Sequence, residues 1–129
     1  MSGFTDYLED ALLKHVFTNT AYTSPTTVYA ALFTVAPSDT GGGTEVSGGA
    51  YARQSMAFSV SGTSTLATNS ASVEYPTATA DYGTVVAVGI FDASTSGNLL
   101  AYANLTTSKT VSSGDVFRFN AGDVDITLT

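Results

Sequence analysis

The side chain best suited to acid–base chemistry near neutral pH is His15, the single histidine of a chain that contains no cysteine. A Ser-His-Asp hydrolase would use this imidazole as its base. His15 follows apolar residues at helical spacing, close to where that helix should end, and a side chain there commonly binds the free carbonyl groups. We therefore predict a helix-capping role for His15 and no catalytic residue. A small hydrolase stays as an alternative that substitution of His15 would test.

Four aspartates in predicted turns and strands offer the hard oxygen ligands that Ca²⁺ prefers. They are Asp92, Asp115, Asp123 and Asp125. Neither the D-x-[DN]-x-[DN]-G pattern nor a suitably spaced glutamate accompanies them. We interpret these carboxylates as solvated surface groups, and the sequence predicts no metal site and no cofactor.

Glycine is concentrated between residues 36 and 50, at Gly41, Gly42, Gly43, Gly48 and Gly49. A phosphate-binding loop would need a lysine followed by serine or threonine at the start of a helix. The next basic residue here is Arg53, within a predicted strand. Because several glycines make any one conformation costly in entropy, we predict a long exposed loop that is mobile or held by a partner.

Seven Tyr and seven Phe, without Trp, supply the aromatic side chains. Those at interior strand positions are expected in the core: Phe33, Phe58, Phe91, Phe117 and Phe119. Tyr7, Tyr22 and Tyr51 lie outside the strand interiors and are candidates for contacts with a partner or a sugar. Arg53 and Arg118 are each expected in a structural ion pair or on a partner-facing surface.

The residues predicted to bind a partner come from the N-terminal segment, the glycine-rich loop and the strand that follows it. They are Phe4, Tyr7, Leu8, Leu12, Tyr22, Gly41, Gly42, Gly43, Glu45, Tyr51 and Arg53.

The charge balance narrows the class of partner. Four basic and eleven acidic side chains give a net charge of −7, which repels nucleic acid and anionic lipid. The longest apolar stretch, around residues 85–91, is far shorter than the ~20 residues of a membrane-spanning helix. The N-terminal stretch carries acids where a signal peptide needs bases. We expect no nucleic-acid partner, no membrane and synthesis without export.

A helix and a set of short strands must position these candidate residues. The helix is N-terminal. Its apolar stripe has spacings of three and four residues and consists of Phe4, Leu8, Ala11, Leu12 and Val16. Thr5 is suited to cap the start, and Asn19 is suited to end the helix. A helix this short is marginal alone in water, so we expect the stripe to pack on its own domain or on another chain.

Beyond residue 19 the pattern predicts short strands, with no helix between them. They span residues 28–35, 51–60, 70–75, 83–92, 99–106, 116–119 and 124–128. A hairpin is expected around Gly97, and a second one across residues 120–123, with Val124, Ile126 and Leu128 facing inward. The predicted fold is mainly β: an antiparallel sandwich of about seven or eight strands, immunoglobulin-like or jelly-roll-like. The predicted domains are a helical arm (1–19) and a β-sandwich (20–129).

Four segments carry a resemblance to a known family. TVYAALFT, SDTGGGTEVSGGAYARQ and YPTATADYGTV are followed by VGIFDASTSGNLLAYANLTTSKTVSSGDVFRFNAG. This sequence resembles small structural proteins of tailed bacteriophages and prophages that are commonly labelled tail-fibre proteins. The resemblance runs from Thr26 to Leu128 and also includes the helix in front.

The resemblance implies a non-enzymatic virion protein made in the cytoplasm of a bacterial host. A small acidic sandwich with an arm is also typical of capsid cement (decoration) proteins, so the favoured hypothesis is a cement protein that stabilises the assembled shell. The alternative is a tail-fibre or tail-associated adhesin that binds a host-cell glycan or receptor. The implied partners are the major capsid protein or other virion subunits, with the chain itself a trimer or dimer.

Overall fold

The computed structural model of the chain describes residues 2–62 and 65–127, which form one helix and eleven strands. The helix is α1 (Asp6–Phe17). The strands are β1 (Ser2–Phe4), β2 (Tyr29–Val35), β3 (Thr44–Glu45), β4 (Gln54–Ser55), β5 (Phe58–Ser59), β6 (Leu66–Asn69), β7 (Val73–Glu74), β8 (Gly83–Phe91), β9 (Leu99–Val111), β10 (Arg118–Phe119) and β11 (Asp125–Thr127).

The main sheet has the strand order β1-β9-β8-β2-β3, with β4 also paired to β2, and every pairing is antiparallel. Its centre is β2 and β8, which are apolar at consecutive positions and are buried on both faces. The expected hairpin around Gly97 joins β8 to β9, although β9 extends to Val111, beyond the predicted end.

Two small sheets, β11-β6-β5 and β10-β7, supply the opposing layer. The core between the layers takes Leu32 and Val88 from the main sheet and Phe117, Phe119 and Ile126 from the other side. Tyr75 joins the layers, because its ring packs edge-on against both phenylalanines. Its hydroxyl also donates a 2.8 Å hydrogen bond to the carbonyl of Ala30 in β2. This two-layer arrangement confirms the predicted mainly β, sandwich-like class.

The opposite face of the main sheet holds a second, smaller cluster around Ala31, Phe33 and Ala87. Phe33 stacks on Phe91 at a centroid distance of 6.2 Å. It also lies over Gly89, where an added Cβ would be 2.6 Å from the ring. The main sheet is therefore apolar on both faces.

The N-terminal segment differs from its prediction in two places. Phe4 lies in β1, which adds to the edge of β9, and the helix begins only after Thr5. Thr5 holds the predicted N-cap position, but its hydroxyl donates to the carbonyl of Leu99 at 2.6 Å and not to the helix. Val16 is exposed. The predicted five-residue helical stripe was wrong at both ends, because a strand precedes the helix and the last turn leaves the sheet.

The segment 51–60 was predicted as one strand and forms two. β4 pairs with β2 in the main sheet, whereas β5 pairs with β6 in the opposing layer. The chain therefore crosses between layers, with Met56 buried at the crossing. Ala52 and Val60 are exposed, contrary to the predicted alternation.

The predicted hairpin between residues 116–119 and 124–128 is also wrong. β10 pairs with β7, and β11 pairs with β6. The buried Asn69 stands where the hairpin would close: its amide donates to the carbonyl of Asn120, and its side-chain oxygen accepts the Val124 N–H. Val124 and Ile126 face inward as predicted, and Leu128 lies outside the described residues.

Candidate partner-binding surface

The helix supplies the first group of predicted contact residues. Leu8 and Leu12 are half-buried, and Tyr7 is exposed. The helix packs through its N-terminal half against β9 and β1, and the N–H of Asp6 donates to the carbonyl of Asp39. Phe4 packs against the core from β1. These four residues thus lie along one end of the main sheet, where they join the N-terminal segment to the domain.

The end of the helix carries an apolar surface that the sequence interpretation missed. Leu13, Val16 and Phe17 are 60%, 66% and 77% exposed. They follow the spacing i, i+3, i+4 and so lie on one face of the helix. We call these three residues the helix tip. Their spacing was available in the sequence, but the interpretation considered only the stripe that contains Leu8 and Leu12 and overlooked a second apolar face in the last turns.

The glycine-rich loop contains more regular backbone structure than predicted. Gly41 closes a short turn in which it exchanges two backbone hydrogen bonds with Ser38, at 2.8 and 2.9 Å. Gly42 is exposed, and Gly43 passes close to β2, where an added Cβ would lie 2.6 Å from the carbonyl oxygen of Val35. The chain then forms β3 on the edge of β2. The expectation of an irregular loop was therefore wrong for Thr44–Glu45, because these residues satisfy the backbone of β2.

The residues Glu45, Tyr51 and Arg53 form one hydrogen-bonded network. Arg53 binds both carboxylate oxygens of Glu45, each at 2.9 Å. The Tyr51 hydroxyl donates to Glu45 Oε2 at 2.7 Å and accepts the backbone N–H of Leu32 at 2.9 Å. The guanidinium of Arg53 lies 3.6 Å above the centroid of the Phe91 ring. Arg53 is thus held in the structural ion pair that was one of its two sequence interpretations.

Arg53 also ties this network to the β8–β9 hairpin. Its Nη1 donates to the carbonyls of Ala93 and Ser96 at 3.0 and 2.8 Å. The side chain is only 9% exposed. The network is therefore part of the packed fold. At a partner surface, its role would be to hold the glycine-rich loop and the β8–β9 hairpin in place.

Electrostatics in the network follow from burial and pairing. Burial by itself raises the pKa of the Glu45 carboxyl, but hydrogen bonds from Arg53 and Tyr51 outweigh it and leave that pKa below its ordinary value. Burial, together with the hydrogen bond to Glu45, raises the pKa of Tyr51. At neutral pH the network therefore contains a carboxylate, a neutral phenol and a guanidinium.

Tyr22 is half-buried in the extended segment after the helix. Burial, followed by the nearby Tyr7 and Asp92, raises its pKa above the ordinary value. His15 lies in the last turn of α1, as predicted, with Nδ1 3.3 Å from the carbonyl of Thr20. The imidazole is exposed, and its Nδ1 lies within hydrogen-bond distance of that backbone group.

Three of the four aspartates that were considered as metal ligands bind backbone N–H groups in turns, and the fourth, Asp125, is exposed in β11. Asp92 accepts from Asn98, Asp115 from Ser112 and Asp123 from Asn120, at 2.8–2.9 Å. Within residues 2–62 and 65–127, no group of three or more His, Asp or Glu side chains could hold a metal ion. The three bonded carboxylates stabilise turns, as short acidic side chains often do.

A cleft beside β9 is lined by a further group of residues that the sequence interpretation missed. The group includes Lys109 and Arg118, which lie on different strands and show no shared sequence pattern. Only the packing of the two layers brings them together.

Comparison with known proteins places the chain in a family. No helix in the described part of the chain is long and apolar enough to cross a membrane. A search of curated proteins found no match. A family model described as podophage GP4 fiber I protein gp80 matches residues 3–127. This match includes the N-terminal segment, the glycine-rich loop and both layers of the sandwich, and the chain belongs to the podophage GP4 fiber I protein family.

Proposed function

We propose that this protein is a non-enzymatic structural subunit of a bacteriophage fibre, located in the virion and bound there to other virion subunits. The observation that carries the proposal is the fibre-family match over residues 3–127. Association with other virion components is what such a family suggests.

The contacts of the reactive side chains support a structural role. Glu45 and Arg53 neutralise each other inside the fold. Asp92, Asp115 and Asp123 are bound to turns, and His15 is an exposed group at a helix end. A catalytic site needs a nucleophile or base held beside a pocket with its reactive atoms free, and these side chains are instead engaged in holding the fold.

The helix tip is the surface that we assign to subunit contact. Its three apolar side chains are exposed at the C-terminal end of a helix whose half-buried side chains, Leu8, Ala11 and Leu12, lie nearer the other end. Apolar groups grouped on one exposed face commonly mark a protein interface. The exposed Tyr7 lies at the opposite end of the same helix, where it lines a cavity together with Gly41.

Capsid cement is the second candidate. A compact acidic sandwich with an exposed apolar helix end would suit a protein that docks many times on a shell. The family description names a fibre, and for that reason we prefer the fibre assignment to the cement hypothesis.

The two assignments make opposite predictions for particles that lack this protein. A fibre subunit should leave the thermal stability of the filled capsid unchanged and reduce adsorption to host cells. A cement protein stabilises the shell by binding only its assembled form, so its loss should lower the temperature at which capsids release DNA. We expect normal thermal release with reduced adsorption; early release with normal adsorption would contradict the fibre assignment.

A matched pair of variants tests the helix tip in the same particles. Phe17→Ser removes the most exposed apolar side chain of the tip, and Val60→Ser removes a similarly exposed one from the opposing layer. We expect only F17S to reduce the copy number per particle. Normal incorporation of F17S would rule out this surface as a subunit contact.

A further inference from the structure

The side of α1 that faces away from the sandwich carries a two-part pattern. The half-buried residues Leu8, Ala11 and Leu12 mark the side that packs on the domain. At about 100° of rotation per residue, the opposite side carries six exposed residues: Asp6, Glu9, Asp10, Leu13, Val16 and Phe17. We call these six residues the outer stripe. Its first half is acidic, and its second half is the helix tip.

The two halves of the outer stripe have the same internal spacing. Each half has members at positions i, i+3 and i+4, and each acidic residue lies seven positions before an apolar one. Seven residues of helix rise about 10 Å, and the whole stripe is about 17 Å long. A partner that covers the stripe therefore meets three carboxylates and, about 10 Å further along the helix, three apolar side chains.

The chain itself compensates these carboxylates only in part. Within residues 2–62 and 65–127, Asp6 and Glu9 form no ion pair, and Asp10 binds Lys14 at 2.9 Å between exposed side chains. Acids in the first turn of a helix complement its dipole, which accounts for Asp6 and Glu9 in an isolated chain. The dipole does not account for three apolar side chains exposed on the same side. The apolar half thus indicates a covering partner, and the acidic half indicates the charge of that partner.

A second copy of α1 does not fit the outer stripe along its length. Antiparallel pairing would place the acidic half of each helix against the apolar half of the other, and burial of an unpaired carboxylate is costly. Parallel pairing would place carboxylates beside carboxylates, which repel each other. Contact between two helix tips alone would leave the acidic halves unused, and the net charge of −7 opposes every such pairing. The outer stripe therefore fits a partner of opposite charge.

A helix with an apolar first half and Lys or Arg in its last turns has the required pattern. Laid antiparallel on α1, it places its apolar side chains on the helix tip and its cations beside Asp6, Glu9 and Asp10. Cations in the last turns also complement the dipole of the partner helix itself. The required partner is thus an ordinary basic amphipathic helix.

We propose that the outer stripe is the docking site for a basic amphipathic helix of another virion subunit, which lies antiparallel to α1. This proposal rests on the proposed function, in which the helix tip makes a subunit contact, and adds the charge and the direction of the partner. Apolar packing on the helix tip supplies the attraction, and the carboxylates select the partner and its orientation.

Three synthetic peptides of 14 residues test the charge and the direction. The first has leucine at positions 2, 5 and 6 and lysine at positions 9, 12 and 13, on a background of alanine and glutamine, which favour helix. The second has glutamate in place of lysine, and the third exchanges the leucine and lysine positions. Each peptide is titrated into ¹⁵N-labelled full-length protein and followed by amide chemical shifts.

We expect saturable shifts centred on residues 6–17, with the first peptide bound at least about tenfold more tightly than the second at low salt. Exposed ion pairs are individually weak, but three of them change sign together between these two peptides. The preference should shrink as the salt concentration rises. Equal affinity for the first two peptides, or no shift with any peptide, would overturn the proposal. The third peptide should bind at least about threefold more weakly than the first, and equal affinity would overturn the antiparallel direction.

Matched variants separate the two halves of the stripe. Glu9→Gln should reduce the preference for the first peptide over the second at least about twofold, whereas Glu74→Gln, which removes an exposed carboxylate from β7, should not change it. Phe17→Ser should weaken both peptides alike, and Val60→Ser should weaken neither. All four side chains are exposed, so thermal melts should show that each variant folds. An equal loss of preference in E9Q and E74Q would mean that only net charge matters and would overturn the proposal.

The occupant of the helix tip is tested by light scattering of the free protein. We expect the wild type and F17S to have the same molar mass. Wild-type dimers that become monomers in F17S would overturn the proposal, because a second copy would then cover the helix tip. Reduced incorporation of F17S into particles, together with equal binding of the first two peptides, would keep the subunit contact and reject only the basic partner.

Discussion

At the scale of single residues, Glu45 gives this domain a defined acid sensitivity. Burial raises the pKa of its carboxyl, but the hydrogen bonds from Arg53 and Tyr51 outweigh burial and lower that pKa below the usual 4.5. A depressed folded-state pKa stabilises the protein above the unfolded value and loses that contribution as pH falls through the folded value. The wild type should therefore lose stability from about pH 4.5 downward through this group.

The variant Glu45→Gln isolates this contribution. At pH 7 we expect it to lower the free energy of unfolding by about 1–3 kcal/mol, since hydrogen bonds to a charged group are lost. The difference from wild type should shrink as the pH falls below 4.5, as measured by urea unfolding across the pH range. Glu74→Gln, which removes an exposed carboxylate 3.9 Å from its nearest cation, is the control and should parallel the wild type. A difference for E45Q that stays constant with pH would contradict this account.

Substitution of two adjacent glycines by alanine distinguishes the stability cost of backbone strain from that of close packing. Gly42 and Gly43 have nearly the same positive φ, 78° and 75°, so alanine at either costs about 1 kcal/mol in strain. At Gly42 a Cβ meets no atom within 4 Å, whereas at Gly43 it lies 2.6 Å from Val35 O and 2.8 Å from Pro37 N. We expect Gly43→Ala to destabilise the domain by at least about 2 kcal/mol more than Gly42→Ala, in line with other steric insertions. Equal urea midpoints for the two variants would show that the loop does not pack on β2 in solution.

At the scale of elements, the helix should be stabilised by only one of two neighbouring leucines. Leu12 is half-buried, and Leu13 is 60% exposed on the helix tip. Leu12→Asp places a carboxylate at the interface with the domain and should cost about 1–2 kcal/mol, less than at a fully buried site. Leu13→Asp adds the same charge to the same helix and should change stability by less than about 0.5 kcal/mol. Thermal melts of both variants test this, and equal losses would place the helix tip against the domain.

The edge of β2 shows how short elements can seal a sheet. β4 pairs at Tyr29 and Ala30, and β3 pairs at Phe33 and Val35. Between them, the Tyr51 hydroxyl and the N–H of Val46 bind the backbone of Leu32. An open strand edge invites pairing with another chain, and these contacts close it with little regular structure.

The sequence predicted those elements whose signal is local. β2 and β8 are continuously apolar, and the hairpin around Gly97 lies between two apolar runs. The two strands and the hairpin were therefore predicted correctly. The partner strands of β10 and β11 were not predicted correctly. Their pairing depends on Asn69, some 50 residues away along the chain. Two-residue strands such as β5 have no periodicity to detect.

The same limit applies to the candidate surfaces. The sequence indicated that Arg53 would be in an ion pair, but the bidentate contact with Glu45 depends on the path of the loop between them. Lys109 and Arg118 line one cleft only because two layers pack. The helix tip was the exception, since the spacing of Leu13, Val16 and Phe17 is visible in the sequence and was overlooked beside the stripe that contains Leu8 and Leu12.

At the scale of the whole molecule, net charge and surface distribution act together. A net charge of −7 favours repulsion between copies of the chain, whereas the helix tip offers apolar area for contact. Under the proposed function, contact between copies would therefore be made through a few local surfaces that outweigh this repulsion. The glycine-rich loop adjoins the N-terminal segment through the bond between Asp6 N–H and Asp39 O, so an assembly contact at one should be felt at the other.

Hydrogen exchange in the free and assembled protein tests that expectation along residues 38–49. The N–H of Val46 bonds the carbonyl of Leu32 at 2.9 Å, and that of Gly41 bonds Ser38 at 2.8 Å, so both amides should be protected in the free protein. Gly42 and Gly48 are exposed and have open space at the Cβ position. Protection arises where opening is costly, and we expect these two amides to exchange fast in the free protein and at least about tenfold more slowly in the particle. Val46 should change little, because the fold already holds it and it serves as the internal control. Equal exchange of Gly42 and Gly48 in both states would mean that this loop takes no part in assembly.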